Sequence, residues 1–233
     1  FHNTDEGIIQ ALRMAFAKSG GRLITRMDAD DIMPPQKLRR LRETLLQKGP
    51  GHLATGLVHY FSHQGEVGRG FLRYAEWLNE LTRASANFTQ VYKECVIPSP
   101  CWMCFREDLQ RCGAFEPNRY PEDYDLCFRF YAGGLRVVGV PETLHEWRDY
   151  PSRTSRNDER YADQLYFDLK VPWFLQLDRD PARPLILWGA GNKGKPLAKR
   201  LISEGVDFHW ITNNTKKQGL RIYGALVSKE SML

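Results

Sequence analysis

Apolar positions along this chain alternate between helical spacing and short β-rich runs, an order that predicts an α/β protein. Ile8, Ile9, Leu12, Ala15 and Phe16 share one face of a helix that Asn3 or Thr4 can cap and Gly20-Gly21 stops. A short strand follows over 22–27 and runs straight into Asp28-Ala29-Asp30-Asp31 and Pro34-Pro35. Leu38, Leu41 and Leu45 predict a helix over 36–48, closed by Gly49-Pro50-Gly51. Residues 52–61 read as a strand and 71–83 as an amphipathic helix around Trp77, Leu78 and Leu81. Beyond an irregular stretch over 88–100, the pattern predicts a strand over 102–105, helices over 107–112 and 122–131, and a strand over 135–140. A helix over 162–177 precedes Asp178–Pro184, which has linker composition with two prolines. A strand over 185–188, a glycine turn, a helix to about Ser203 and a strand over 208–211 complete the pattern.

The boundaries expected from this reading are 1–177 for a main domain, 178–184 for a linker and 185–233 for a second segment. Of 233 residues, 42% are hydrophobic and 26% charged, a globular balance that argues against disorder. No run approaches the roughly 20 apolar residues of a membrane-spanning helix, and no secretory leader is legible, although the sequence opens on Phe1. Five cysteines read as reduced thiols, so a cytoplasmic setting is expected. The net charge of +5 is uneven: residues 1–183 carry 25 basic and 25 acidic side chains, and residues 184–233 carry 8 and 3. The main body therefore lacks the basic face that a nucleic-acid binder needs. The basic tail either attracts a small anion or is a solvated lysine-rich surface.

Two acidic blocks carry the candidate chemistry. Asp28-Ala29-Asp30-Asp31 ends a strand, at the sheet edge where open α/β folds bind ligands, and closely spaced carboxylates suit a hard divalent cation sharing a diphosphate. The plain alternative is that Asp30 or Asp31 caps the next helix. Glu122-Asp123-Tyr124-Asp125-Leu126 with Arg129 opens a helix. It suits a general base whose pKa a neighbouring carboxylate raises, or simply a helix start favoured by the macrodipole. Cys101-Trp102-Met103-Cys104 lacks a second such pair, and two strand residues three apart face opposite sides, so buried thiols are the default. Gly189-Ala190-Gly191-Asn192-Lys193-Gly194-Lys195 follows a strand and opens a helix, as a dinucleotide turn does. The acid expected about 20 residues on is replaced by Thr212, Asn213 or Asn214.

The run from Gly7 to Leu46, with its helix, strand, Asp-x-Asp-Asp turn and Lys/Arg-Leu helix, resembles the middle of a family 2 glycosyltransferase of the GT-A fold. The Glu122–Arg129 block resembles that family's base-bearing segment, and the two blocks stand in the family's order. The resemblance implies an α/β fold: a GT-A-like mixed sheet flanked by helices, incomplete at its N-terminal side, then a partial Rossmann-like βαβ unit. It implies Asp123 as base beside Glu122, and Asp30 with Asp28 as ligands of Mg²⁺ or Mn²⁺. It places Asp28 on the nucleotide side as well and Asp31 near the donor. Leu144 to Arg156 looks like the family's donor-closing loop, with Arg148, Arg153 and Arg156 for the donor phosphates. Tyr150 departs from the pattern where a histidine often stands, and His145, five residues earlier, reads as structural.

The implied activity is inverting transfer from a nucleotide-sugar, a UDP-sugar, to a saccharide or lipid-linked acceptor. Bacterial surface polysaccharide or glycoconjugate synthesis is the expected setting, in the cytoplasm or at the inner face of its membrane. An NAD(P)-dependent oxidoreductase would rest on the glycine turn, and a haloacid-dehalogenase-type phosphatase on the Asp-x-Asp after a strand. A non-catalytic sugar-binding module would tolerate loss of Asp123.

Overall fold

The computed structural model describes residues 7–153 and 163–232 and divides the chain into two compact units, 1–159 and 160–233. The first unit contains α1 (Ile8–Lys18), β1 (Leu23–Thr25), α2 (Lys37–Lys48), β2 (His52–Phe61), α3 (Arg69–Arg83), β3 (Trp102–Phe105), α4 (Arg106–Arg111), α5 (Glu122–Ala132) and β4 (Arg136–Arg148). Its four strands form a mixed sheet in the order β1-β3-β2-β4. β3 runs antiparallel to both β1 and β2, while β2 and β4 are parallel. The sheet has an all-buried central strand, residues 53–58 of β2, as expected where helices cover the sheet. Leu41 and Leu45 of α2, Val58 of β2, Leu78 of α3, Phe105 of β3 and Leu144 of β4 share one core. Each such side chain contributes about 1.5–3 kcal/mol by leaving water.

β4 is much longer than its β-branched start predicts. It continues through Leu144, His145 and Trp147 to Arg148, pairing Leu57 to Phe61 of β2. The 144–148 stretch expected in a loop is therefore strand, because its polar residues interleave with buried ones on a sheet that extends to meet them. The register shifts on both sides of Leu57, beside Gly56. A Cβ on Gly56 would lie 2.7 Å from the Leu144 side chain, so only glycine lets the two strands close there. Beyond the strands, Ile32 exchanges backbone hydrogen bonds with Glu146 (3.0 and 3.1 Å), which stitches the acidic turn onto the end of β4.

The second unit contains α6 (Asp163–Leu177), β5 (Ile186–Trp188), α7 (Gly194–Ser203), β6 (His209–Ile211), β7 (Arg221–Ile222) and β8 (Ala225–Ser228). β5, β6 and β8 are parallel neighbours and β7 pairs antiparallel with β8. Val171 of α6 packs with Leu187, Ala198, Leu201, Trp210 and Val227 in one cluster, and Leu175 lies against it. The helix over 163–177 is grouped with this second compact unit. Physically, α6 places Val171 and Leu175 against this small sheet.

A candidate donor and base site

The acidic turn is held from beneath by a buried chain of polar contacts. Asp31 Oδ2 lies 2.8 Å from His145 Nε2, and its Oδ1 accepts the Arg148 backbone N–H at 2.8 Å. On the other side of the imidazole, Lys37 Nζ lies 3.2 Å from His145 Nδ1 and donates to the Pro100 carbonyl at 2.6 Å. An ammonium only donates, so Nδ1 accepts and Nε2 carries the proton given to Asp31. Lys37 is fully buried, and desolvation lowers its pKa while the nearby Cys101, Asp31 and Asp28 oppose that shift. Asp31 therefore ties the turn to β4, which is how the structure uses it.

The second block arrives on the first turn of α5, and Arg26 joins it to the first. Arg26 Nε donates to Asp28 Oδ1 at 3.0 Å and its Nη1 to Glu122 Oε1 at 3.2 Å, with the Arg26 and Glu122 side chains both buried. Asp123 follows on the same turn, where its Oδ1 accepts the Tyr124 backbone N–H at 2.8 Å. Burial, then the charge of Glu122, raises the Asp123 carboxyl to about 7; Arg26 pulls it down and Asp28 pushes it up. Two segments 92 positions apart in the chain thus act on one another electrostatically. The remainder of the second block is scaffolding. Asp125 pairs with Arg129 (2.8 Å) and Arg119 (3.1 Å), and Arg129 also donates to the Ala114 carbonyl at 2.8 Å.

The end of β4 supplies the cations. Arg148 donates from Nε to the Asp30 carbonyl and lies over the Phe61 ring, 4.8 Å from its centroid. Arg153 lies over Trp147 (5.2 Å) and Tyr60 (5.8 Å), whose own rings stack at 5.1 Å. Burial pushes the Tyr60 phenol up to about 12 against the opposing pull of Arg153. Such stacking fixes guanidinium planes at little cost in entropy. Tyr150 donates its hydroxyl to Asp30 Oδ2 at 2.8 Å. Arg156 lies outside the described residues.

Of the residues expected at the site, Asp28 and Glu122 meet through Arg26, with Asp123 next to Glu122; Asp30 meets Arg148 and Tyr150, Arg153 lies over Tyr60 and Trp147, and Asp31 faces inward to His145. Arg26, Lys37 and the bond from Tyr150 to Asp30 were not anticipated. A charged residue directly after a short buried strand is the signal that marks Arg26. Nothing in its pattern separates Lys37 from the exposed cations of α2. The five cysteines are all buried, and desolvation raises the Cys101 thiol to about 11, which suits inert core positions.

The donor chemistry fits a hard cation that brings most of its own ligands. Asp28 and Asp30 offer carboxylate oxygens, one on each already engaged by Arg26 and Tyr150. Among the described residues no group of three or more His, Cys, Asp or Glu side chains is placed to hold a metal by itself. A divalent ion completing its shell with water and diphosphate oxygens matches that set.

The first unit is thus an α/β protein: a mixed sheet with helices packed on it, and two acidic segments joined through Arg26. Residues 1–113 match the family model of glycosyl transferase family 2. Among solved structures, that of S. aureus TarS 1-349 in complex with UDP-GlcNAc is similar at 14% identity and a TM-score of 0.49, over 82% of this chain. The match spans about half, 51%, of that solved chain. No helix among the described residues is long and apolar enough to cross a membrane.

Proposed function

We propose that this chain carries part of an inverting glycosyltransferase of the GT-A type, which moves a sugar from a nucleoside-diphosphate-sugar, a UDP-sugar, to a hydroxyl of a saccharide or lipid-linked acceptor. The observation that carries the reading is the bridge from Asp28 through Arg26 to Glu122, which brings the two acidic blocks into one site. Asp30 and Asp28 would hold Mg²⁺ or Mn²⁺ against the donor diphosphate. When bound, that cation supplies positive charge to the departing diphosphate. Arg148 and Arg153, with Arg156, add hydrogen bonds to the same phosphates.

Asp123 removes the acceptor's hydroxyl proton as its oxygen attacks the anomeric carbon opposite the leaving group. A carboxyl held near neutrality is suited to that task, since a base works best with a pKa close to the working pH. Surface polysaccharide or glycoconjugate synthesis at the inner face of a bacterial membrane is the setting we favour, with residues 160–233 as an accessory unit. The test is release of nucleoside diphosphate from a panel of UDP-, dTDP- and GDP-sugars by the full polypeptide. Release that requires Mn²⁺ or Mg²⁺ and disappears in Asp30→Asn supports the reading. Absence of both release and nucleotide binding across the panel overturns it.

A further inference from the structure

Arg26 has a geometry that a buried neutralising charge alone would not need. Its side chain is 8% exposed and presents Nε to Asp28 and Nη1 to Glu122, so one rigid planar fork spans one carboxylate from each acidic block. Asp28, Glu122 and Asp123 all act on its charge. The fork starts from a fixed base: β1 is paired with β3 through Leu23, Ile24 and Thr25, directly before Arg26. Its far end meets Glu122 in the first turn of α5, and Asp123 is the next residue of that turn. One guanidinium thus links the acidic turn to the helix turn that carries Asp123.

We infer that Arg26 is a positioning residue, which fixes the carboxylate that takes the acceptor proton at the working distance from the diphosphate-binding turn. This rests on the transfer reading above. Charge alone does not reproduce such a strut. A lysine ammonium can pair with one of the two carboxylates, but it has no rigid fork to hold both in a plane.

The experiment uses the full polypeptide with its best donor from the sugar-nucleotide panel and Mn²⁺, comparing the parent with Arg26→Lys, Glu122→Gln and the double variant Arg26→Lys/Glu122→Gln. Thermal unfolding and calorimetric titration with UDP accompany the kinetics. Arg26→Lys is expected to fold and to lose about 10- to 100-fold in kcat, the scale of an ångström-sized misplacement, with donor KM within about threefold of the parent. The double variant is expected to be no more than about threefold slower than Glu122→Gln alone, because a broken strut cannot be broken twice. Should Arg26→Lys fail to fold, the same comparison is made with Arg26→Gln/Glu122→Gln against Glu122→Gln, which leaves fewer unpaired buried charges. Parental kcat in Arg26→Lys, a loss confined to KM, or fully multiplicative losses in the double variant would each overturn the positioning role while leaving the transferase reading intact. A parent that neither releases nor binds nucleotide would overturn both.

Discussion

Tyr150 and Asp30 are joined by a hydrogen bond of 2.8 Å from the phenol hydroxyl to Oδ2, so a tyrosine just beyond β4 engages the carboxylate proposed to hold the cation. The acidic side chain in turn raises the phenol's pKa, mainly through this bond. A cation gripping both oxygens of Asp30 has to displace that hydroxyl. Tyr150→Phe should therefore tighten Mn²⁺ binding by about 10- to 100-fold, the worth of one hydrogen bond to a charged group. Titration followed by electron paramagnetic resonance measures it directly. Weaker binding would instead give Tyr150 the task of aiming Asp30.

Lys37 is the keystone beneath the acidic turn, with His145 on one side and the Pro100 carbonyl on the other. Lys37→Met removes both contacts and leaves Asp31 and His145 without the cation behind them. A loss of about 3–5 kcal/mol in unfolding free energy is expected, as for other broken buried charge networks. Urea unfolding of the variant checks it, and an unchanged midpoint would contradict the network's role.

The raised Asp123 carboxyl has opposite consequences for activity and stability. In the proposed mechanism its ionised form is the base, so kcat should climb as pH rises through about 7 and flatten above it. For folding, a carboxyl whose pKa is higher folded than unfolded contributes stability below the unfolded value near 4, and loses it as pH rises through the folded value. Asp123→Asn should accordingly melt higher than the parent at pH 8, by on the order of 1 kcal/mol, with a smaller gain at pH 5. Melting curves at the two pH values decide it. An equal gain at both would assign the effect to packing.

In the second unit, Gly194 starts α7 directly against the preceding turn. A Cβ there would stand 2.0 Å from the Gly189 carbonyl oxygen. Gly194→Ala should destabilise this unit by about 2 kcal/mol or more through forced backbone displacement. Faster amide exchange across 186–211 is the expected signature.

Much of this architecture was legible in the chain. The strand 52–61 and the strand 102–105 coincide with their predicted limits, because glycine-rich punctuation or a helix start closes each one. The acidic blocks were legible as two carboxylate-dense segments, and the structure joins them through Arg26. What could not be read was long-range pairing. The 144–148 stretch is strand only because β2 is long enough to receive it, and no local pattern reports a partner's length. The β7–β8 hairpin lies beyond the predicted elements, although Tyr223-Gly224, both at positive φ, is a two-residue turn of the kind that joins such strands. Arg26 shows the same limit from the side of function. Its identity is plain in the sequence, but its role depends on Glu122 arriving from a helix 96 positions away.

The central claim is that one segment grips the donor while the other takes the proton, and the most direct test separates the two in single variants. Calorimetric titration with UDP and Mn²⁺, paired with sugar-transfer rates, should be run on Asp123→Asn and Asp30→Asn of the full polypeptide. The account predicts that Asp123→Asn binds UDP within about threefold of the parent yet loses transfer by about 10²-fold or more, the scale of general-base catalysis. Asp30→Asn should lose the Mn²⁺-dependent part of binding. Transfer retained in Asp123→Asn, or binding that collapses there and persists in Asp30→Asn, would contradict it.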